Sequence, residues 1–288
     1  MAKIDINGIA IGYEIVGTGP RPAVITPGGR FAKDSPGIRE LAQALAAGGM
    51  RVLIWDRPNC GESDVCFEGE TESILNADTL AALLKKLDMA PALVVGGSAG
   101  SRVSLITARR HPDVVDALAL VWISGGWTGL ASLANVYCGN ALVAARMGGM
   151  EAVAKEGWWP ETIARNPGNR ERILSQDVDR FCDTMQRWAK SFFPEQGSPV
   201  PGLLPEDFAA LKMPVLVFRS GHSDPHHPRE TSEAVHRLVS QSQLVEPPWG
   251  DREWLERMAD AKNGLFRRYP LLAPQILRFD EESRRHRR

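Results

Sequence analysis

Ala92-Leu93-Val94-Val95-Gly96-Gly97-Ser98-Ala99-Gly100-Ser101 runs from an apolar stretch straight into Gly-x-Ser-x-Gly, and the helix-capable segment Arg102–Arg110 follows. The order is strand, sharp turn, helix, with a serine at the apex. A serine on such a turn is held in a strained backbone conformation, so its neighbours must be small; Gly96 and Gly100 meet that need. The turn lifts the Ser98 hydroxyl clear of a sheet. The start of the following helix leaves the N–H of Ala99 free to meet a developing oxyanion. The bland alternative is a plain glycine-rich strand–helix turn; the strand-then-helix context favours a nucleophile elbow over it.

Working outward, strands and helices alternate on both sides of this turn. Lys3–Ile6 and Ile9–Ile15 alternate in polarity around Asn7-Gly8 and read as a hairpin. Ala23–Thr26 is a short buried strand ending in Pro27-Gly28-Gly29-Arg30. Helices are expected over Pro36–Ala47 and Ile74–Leu87, with a strand at Arg51–Trp55 between them. Ala117–Ile123 is another strand. Pro214–Phe218 and Gln243–Val245 read as strands, with helices at Arg229–Val239, Glu253–Lys262 and Leu271–Phe279. This alternation predicts an α/β fold: a mostly parallel sheet covered by helices on both faces.

The alternation lapses between about residues 125 and 207, where helical segments near Leu130–Met147 and Asn169–Phe193 replace it. The organisation expected is therefore a core of 1–124 plus 208–288 with an inserted helical cap, 125–207. Four of the eight tryptophans, Trp127, Trp158, Trp159 and Trp188, fall in that insertion. They are candidates either for the roof of a substrate pocket or for the insertion's own small core.

Composition narrows the function classes. A chain of 288 residues with 43% hydrophobic and 24% charged residues is that of an ordinary globular protein, and a net charge of −1 gives no reason to expect nucleic acid or an anionic membrane as partner. The basic end, Arg284-Arg285-His286-Arg287-Arg288, reads as a solvated tail. The N-terminal residues carry no export signature, no apolar run approaches membrane-spanning length, and the spacing of Cys60, Cys66, Cys138 and Cys182 fits no zinc motif. A cytoplasmic protein with free thiols, and with neither metal nor cofactor, is expected.

Taken together, these motifs resemble the α/β-hydrolase superfamily, and in wording they are most similar to its proline iminopeptidase branch. Pro27-Gly28-Gly29 stands where that superfamily has His-Gly-x, which implies Gly29 N–H as the second oxyanion donor beside Ala99. Asp56 to Ser63 resembles its Asp-x-x-Gly-x-Gly-x-Ser loop, with Asn59 in place of the first glycine. Ala99 stands where the proline iminopeptidase branch has tryptophan, which argues against carrying over its peptidase specificity. Gly221-His222-Ser223-Asp224-Pro225-His226-His227-Pro228 fits Gly-x-x-Asp-x-x-x-Pro, which implies Asp224 as the catalytic acid.

One element of the resemblance is missing. The superfamily places its histidine after the eighth strand, but Val245-Glu246-Pro247-Pro248-Trp249-Gly250-Asp251-Arg252 contains none. A serine without a base is a poor nucleophile at neutral pH. Asp224 is expected about two strands, ~10 Å, from the elbow strand. His226 and His227 are the nearby residues of suitable basicity, with His222 a weaker candidate and His227 preferred. The expectation is a capped serine hydrolase of small ester, lactone or amide substrates using Ser98, Asp224 and His227. Arg30 beside the oxyanion turn is a candidate either for meeting a substrate carboxylate or for simple pairing on the surface, and Trp127, Trp158, Trp159 and Trp249 are candidate substrate contacts. The alternatives are a ligand-binding pseudo-hydrolase similar to the gibberellin receptors, or a lyase or cofactor-free dioxygenase on the same fold. A serine at the elbow speaks against the aspartate-nucleophile branches.

Overall fold

A computed structural model describes residues 2–285; of the basic tail, positions 286–288 lie outside the described residues. Eight strands form one sheet in the order β1-β2-β4-β3-β5-β6-β7-β8. They are β1 Ala2–Ile6, β2 Ile9–Val16, β3 Arg21–Thr26, β4 Met50–Trp55, β5 Ala92–Gly97, β6 Val115–Val121, β7 Val215–Phe218 and β8 Ser242–Val245. β1 and β2 pair antiparallel and β2 pairs antiparallel to β4, while every pair from β4 to β8 is parallel. Asn7 and Gly8, at φ 53° and 84°, make the tight turn of the β1–β2 hairpin.

The central stretches of the parallel strands, such as Val52–Trp55, Leu93–Val95 and Ala117–Val121, are apolar and buried because both faces are covered. One face packs on α2 (Glu72–Lys86) and α3 (Ala99–Arg110), the other on α1 (Ile38–Ala47) and α12 (Ala273–Arg285). Both α1 and α2 start about where the sequence pattern places them. The last helix runs six residues beyond the expected Phe279, because Asp280 and Ser283 continue its buried face.

Between β6 and β7 come α4 (Trp127–Ala134), a π-helical turn at Asn135–Gly139, α5 (Asn140–Val153), α6 (Trp159–Arg165), α7 (Gly168–Leu174) and α8 (Val178–Lys190). The helix expected over 169–193 is two helices, since Asp177 N-caps the second through a bond to the Arg180 N–H. These helices share a separate apolar cluster built on Phe181, Met185, Trp188 and Trp159. Val65 and Phe67, from the loop after β4, complete it and tie the insertion to the sheet domain. A short α9 (Pro205–Ala210) leads back to β7; α10 (Arg229–Leu238) follows β7, and α11 (Glu253–Ala259) follows β8.

Candidate active site

Ser98 sits between β5 and α3 with φ 55° and ψ −118°, a conformation L-residues rarely hold. Its surroundings leave no room for relaxation. A side chain at Gly100 would meet the Thr26 carbonyl oxygen at 2.0 Å, and one at Gly28 would meet Ser98 Cβ at 2.6 Å. The β3 turn is thus pressed directly against the elbow, which explains the paired glycines in both segments. Among the described residues, the N–H groups of Gly29 and Ala99 are not taken up by another hydrogen bond.

The Asp224 loop lies at the carboxyl end of β7, separated from β5 by β6. Asp224 Oδ1 accepts the backbone N–H groups of His226 at 2.9 Å and His227 at 3.1 Å. That wraps the loop around the carboxylate and turns the His227 ring back over it. His227 Nδ1 lies 2.8 Å from Asp224 Oδ2, and His227 Nε2 lies 2.7 Å from Ser98 Oγ. The loop is also tied down across β6, where Gly125 N–H donates to the His226 carbonyl. Two strand spacings, ~10 Å, are therefore spanned by one turn of loop and one imidazole.

The other loop histidines point elsewhere. The His226 ring packs on Trp254 with centroids 5.0 Å apart, and His222 Nε2 accepts from Arg229.

Burial and charge set the protonation states. Burial alone would push the Asp224 carboxyl up, but the His227 hydrogen bond, the His227 and Arg257 charges and the His226 N–H together hold it below the usual range. Burial lowers the pKa of His227; Asp224 pulls it back up, Arg257 pushes it further down, and the net is a ring held below the ordinary histidine value. At neutral pH the imidazole is therefore uncharged, with Nε2 able to accept the Ser98 proton while Nδ1–H faces the acid.

Three partners of this group carry no sequence motif. Arg257, on α11, donates to Asp224 Oδ2 at 3.0 Å and lies 3.7 Å over the Trp122 ring. Glu253 pairs with Arg257 at 3.1 Å, and its burial pushes its pKa to about 7. Ser124 Oγ lies 3.3 Å from Ser98 Oγ. The i,i+4 spacing of Glu253 and Arg257 on a helix beside Trp254 was the available sign of a buried ion pair. Nothing in the sequence ties it to a loop 33 residues earlier.

The candidate substrate contacts are dispersed. Arg30 is 6% exposed and makes a two-pronged pair with Glu72, its NH1 lying 2.6 Å from the carboxylate. Its guanidinium also lies over the Tyr137 and Trp159 rings. Its charge is thus already matched, as in the pairing alternative, but the pair is buried rather than on the surface. Trp159 is buried against Phe67, whereas Trp158 is half-buried against Phe31. Trp127 is 74% exposed and its ring packs at a tilt against Phe193. Trp249 packs on Trp122, which in turn stacks on His227.

Comparison with known proteins agrees with this architecture. The family model described as alpha/beta hydrolase fold matches residues 22–193, more than half of the chain. The chain is 27% identical to the sn-1-specific diacylglycerol lipase ABHD11 of Mus musculus, over 85% of this chain and 80% of that one. It is 24% identical to the serine hydrolase BPHL of Homo sapiens, over 92% and 84% respectively. Among solved structures, the meta-cleavage product hydrolase CumD of Pseudomonas fluorescens superimposes with a TM-score of 0.61 at 20% identity, covering 98% of each chain. Est816, described as an N-acyl homoserine lactone degrading enzyme, gives 0.58 at 17% identity over 99% of each.

Proposed function

From the premise that this chain belongs to the alpha/beta hydrolase fold family, we propose that it is a serine hydrolase of small ester, lactone or amide substrates, with Ser98 as nucleophile, His227 as base and Asp224 as acid. The observation that carries this reading is the continuous contact of Ser98 Oγ, His227 and Asp224, at 2.7 and 2.8 Å. The matched family region ends at residue 193, so the acid and base rest on geometry rather than on similarity.

In this reading His227 Nε2 takes the Ser98 proton as the hydroxyl oxygen attacks the substrate carbonyl. The oxyanion is met by the N–H groups of Gly29 and Ala99; removing one such donor typically costs about 3 kcal/mol. Asp224 stabilises the imidazolium, which then hands its proton to the leaving group. Water, activated by the same imidazole, releases the acyl group. The insertion 125–207 acts as the cap over this centre; Trp158 adjoins it through Phe31 beside Gly29, and Trp249, outside the insertion, through Trp122, which stacks on His227. Arg257 is a positioning residue: it anchors the Asp224 carboxylate from α11, the helix after β8.

The names of the relatives, a lipase, a serine hydrolase and a lactone-degrading enzyme, favour acyl transfer to water over non-hydrolytic chemistry. No helix among the described residues is long and apolar enough to cross a membrane. The test is turnover of p-nitrophenyl butyrate by the parent and by Ser98→Ala. The reading requires Ser98-dependent release; a folded parent without it, yet binding a small molecule under the cap, would favour the receptor-like alternative.

A further inference from the structure

Beside the oxyanion turn the protein buries more positive charge than it neutralises. Arg57, 3% exposed, donates to the carbonyl oxygens of Gly28 and Gly29, and its Nε is enclosed without an acceptor. Arg102 follows Ser98 by four residues on α3 and is 6% exposed. Among the described residues it meets no carboxylate or carbonyl oxygen; its guanidinium lies 4.4 Å over the Phe192 ring, and its Nε is also enclosed without an acceptor. The nearest matched cation, Arg30, has taken up Glu72.

Tyr137 joins them from the insertion. Its hydroxyl is buried without a partner, and a side chain added at Gly29 would come within 3.7 Å of it. It sits in the π-helical turn at Asn135–Gly139, an irregularity common at functional sites. Burial pushes its pKa up to about 12, so the phenol keeps its proton and remains a donor. Two guanidinium groups without a carboxylate hydrogen-bond partner and one unpaired hydroxyl therefore lie together: Arg57 on the oxyanion turn itself, Tyr137 beside Gly29, and Arg102 near enough to both to interact with them electrostatically. Buried charge of this kind is expensive unless a counter-charge joins it.

We propose that Arg57, Arg102 and the Tyr137 hydroxyl form the anion-binding end of the substrate pocket, and that the preferred substrate carries a carboxylate on its acyl part. The proposal rests on the serine-hydrolase reading above and names its substrate class. The acyl side follows from position: Arg57 and Tyr137 border the turn proposed to hold the carbonyl oxygen through both half-reactions, with Arg102 beside them, whereas the leaving group departs after the first. A guanidinium presents parallel N–H groups suited to a carboxylate, and the phenol adds a third donor.

Calorimetry on the full-length Ser98→Ala protein, comparing monomethyl glutarate with dimethyl glutarate, tests the proposal without depending on turnover. The monoester should bind about tenfold or more tightly than the neutral diester, and the advantage should vanish in the Ser98→Ala/Arg102→Met double variant. Because Arg102→Met removes an unpaired buried charge, its melting temperature should be no lower than that of its parent. If the double variant does not fold, the two esters on the Ser98→Ala parent still decide. Equal affinities, no detectable binding of the monoester, or an advantage that survives loss of Arg102 would overturn the proposal. Hydrolysis of the diester by the unmutated protein is scored separately: its absence would remove the hydrolase reading while leaving the binding comparison intact.

Discussion

Asp224 and His227 stand three residues apart on one loop, with Asp224 Oδ2 2.8 Å from His227 Nδ1. The same carboxylate orders the loop through Oδ1 and faces the imidazole through Oδ2. Asp224→Asn should keep the first function and lose the second, because its amide nitrogen cannot accept the Nδ1 proton. Turnover of an activated ester is expected to fall by about 10³–10⁴ with little change in melting temperature. A variant that unfolds would show that the carboxylate is mainly structural.

The base must be uncharged to work, and its pKa is held below the ordinary histidine value. Activity should therefore be lost as pH falls, along an acid limb whose midpoint lies below ~6.5. Arg257 contributes to that depression. Arg257→Gln removes a cation facing the ring, so the limb should move to higher pH. A pH–kcat/KM profile of the two proteins checks the sign, and a limb that stays put or moves down would deny Arg257 its electrostatic part.

Glu253 gives a stability prediction of the opposite sense. Its folded pKa, about 7, is raised above its ordinary value by burial. A group raised in this way contributes stability that is fully present below its unfolded pKa and is lost as pH rises through the folded one. The protein should lose up to roughly 3 kcal/mol between pH 5 and pH 8 from this residue. Glu253→Gln should flatten that slope in denaturant melts. An unchanged slope would place the titration elsewhere.

The oxyanion turn can be tested by a single methyl group. A Cβ at Gly28 would come within 2.6 Å of Ser98 Cβ and 3.0 Å of the Gly97 carbonyl oxygen, both on the elbow. Gly28→Ala should force the turn outward and reduce kcat about 100-fold or more, since small misplacements at a reacting centre are costly. Fluorogenic ester turnover by a folded variant decides it. Unchanged kcat would mean the turn has slack that the contacts do not suggest.

Much of the scaffold was legible because it rests on local rules. Apolar runs bounded by glycine gave the parallel strands, Gly96 and Gly100 marked the elbow, and Asn59 reads correctly as a residue that tolerates positive φ, here 69°. His227 could be singled out because elimination left few basic groups near Asp224. The elements that escaped are long-range. Arg257 reaches Asp224 from α11, Ser124 approaches Ser98 from the end of β6, and Arg102 is left unpaired by what surrounds it in space. Arg30 shows the same limit in reverse. Its position beside the turn left open a substrate carboxylate or a surface pair, and the partner, Glu72, stands 42 residues later in a buried pair. Pairing across such separations depends on how helices pack on the sheet, which periodicity and motif spacing do not encode.

The central claim is that Ser98 is activated by a histidine drawn from the acid's own loop. The most direct measurement is the rate at which a fluorophosphonate modifies Ser98, followed by intact mass, in the parent, His226→Ala and His227→Ala proteins at neutral pH. A single adduct on Ser98 is predicted, forming at similar rates in the parent and His226→Ala and about 10²-fold or more slowly in His227→Ala. Equal labelling of His227→Ala and the parent, or a parent in which Ser98 does not react at all, would contradict the account.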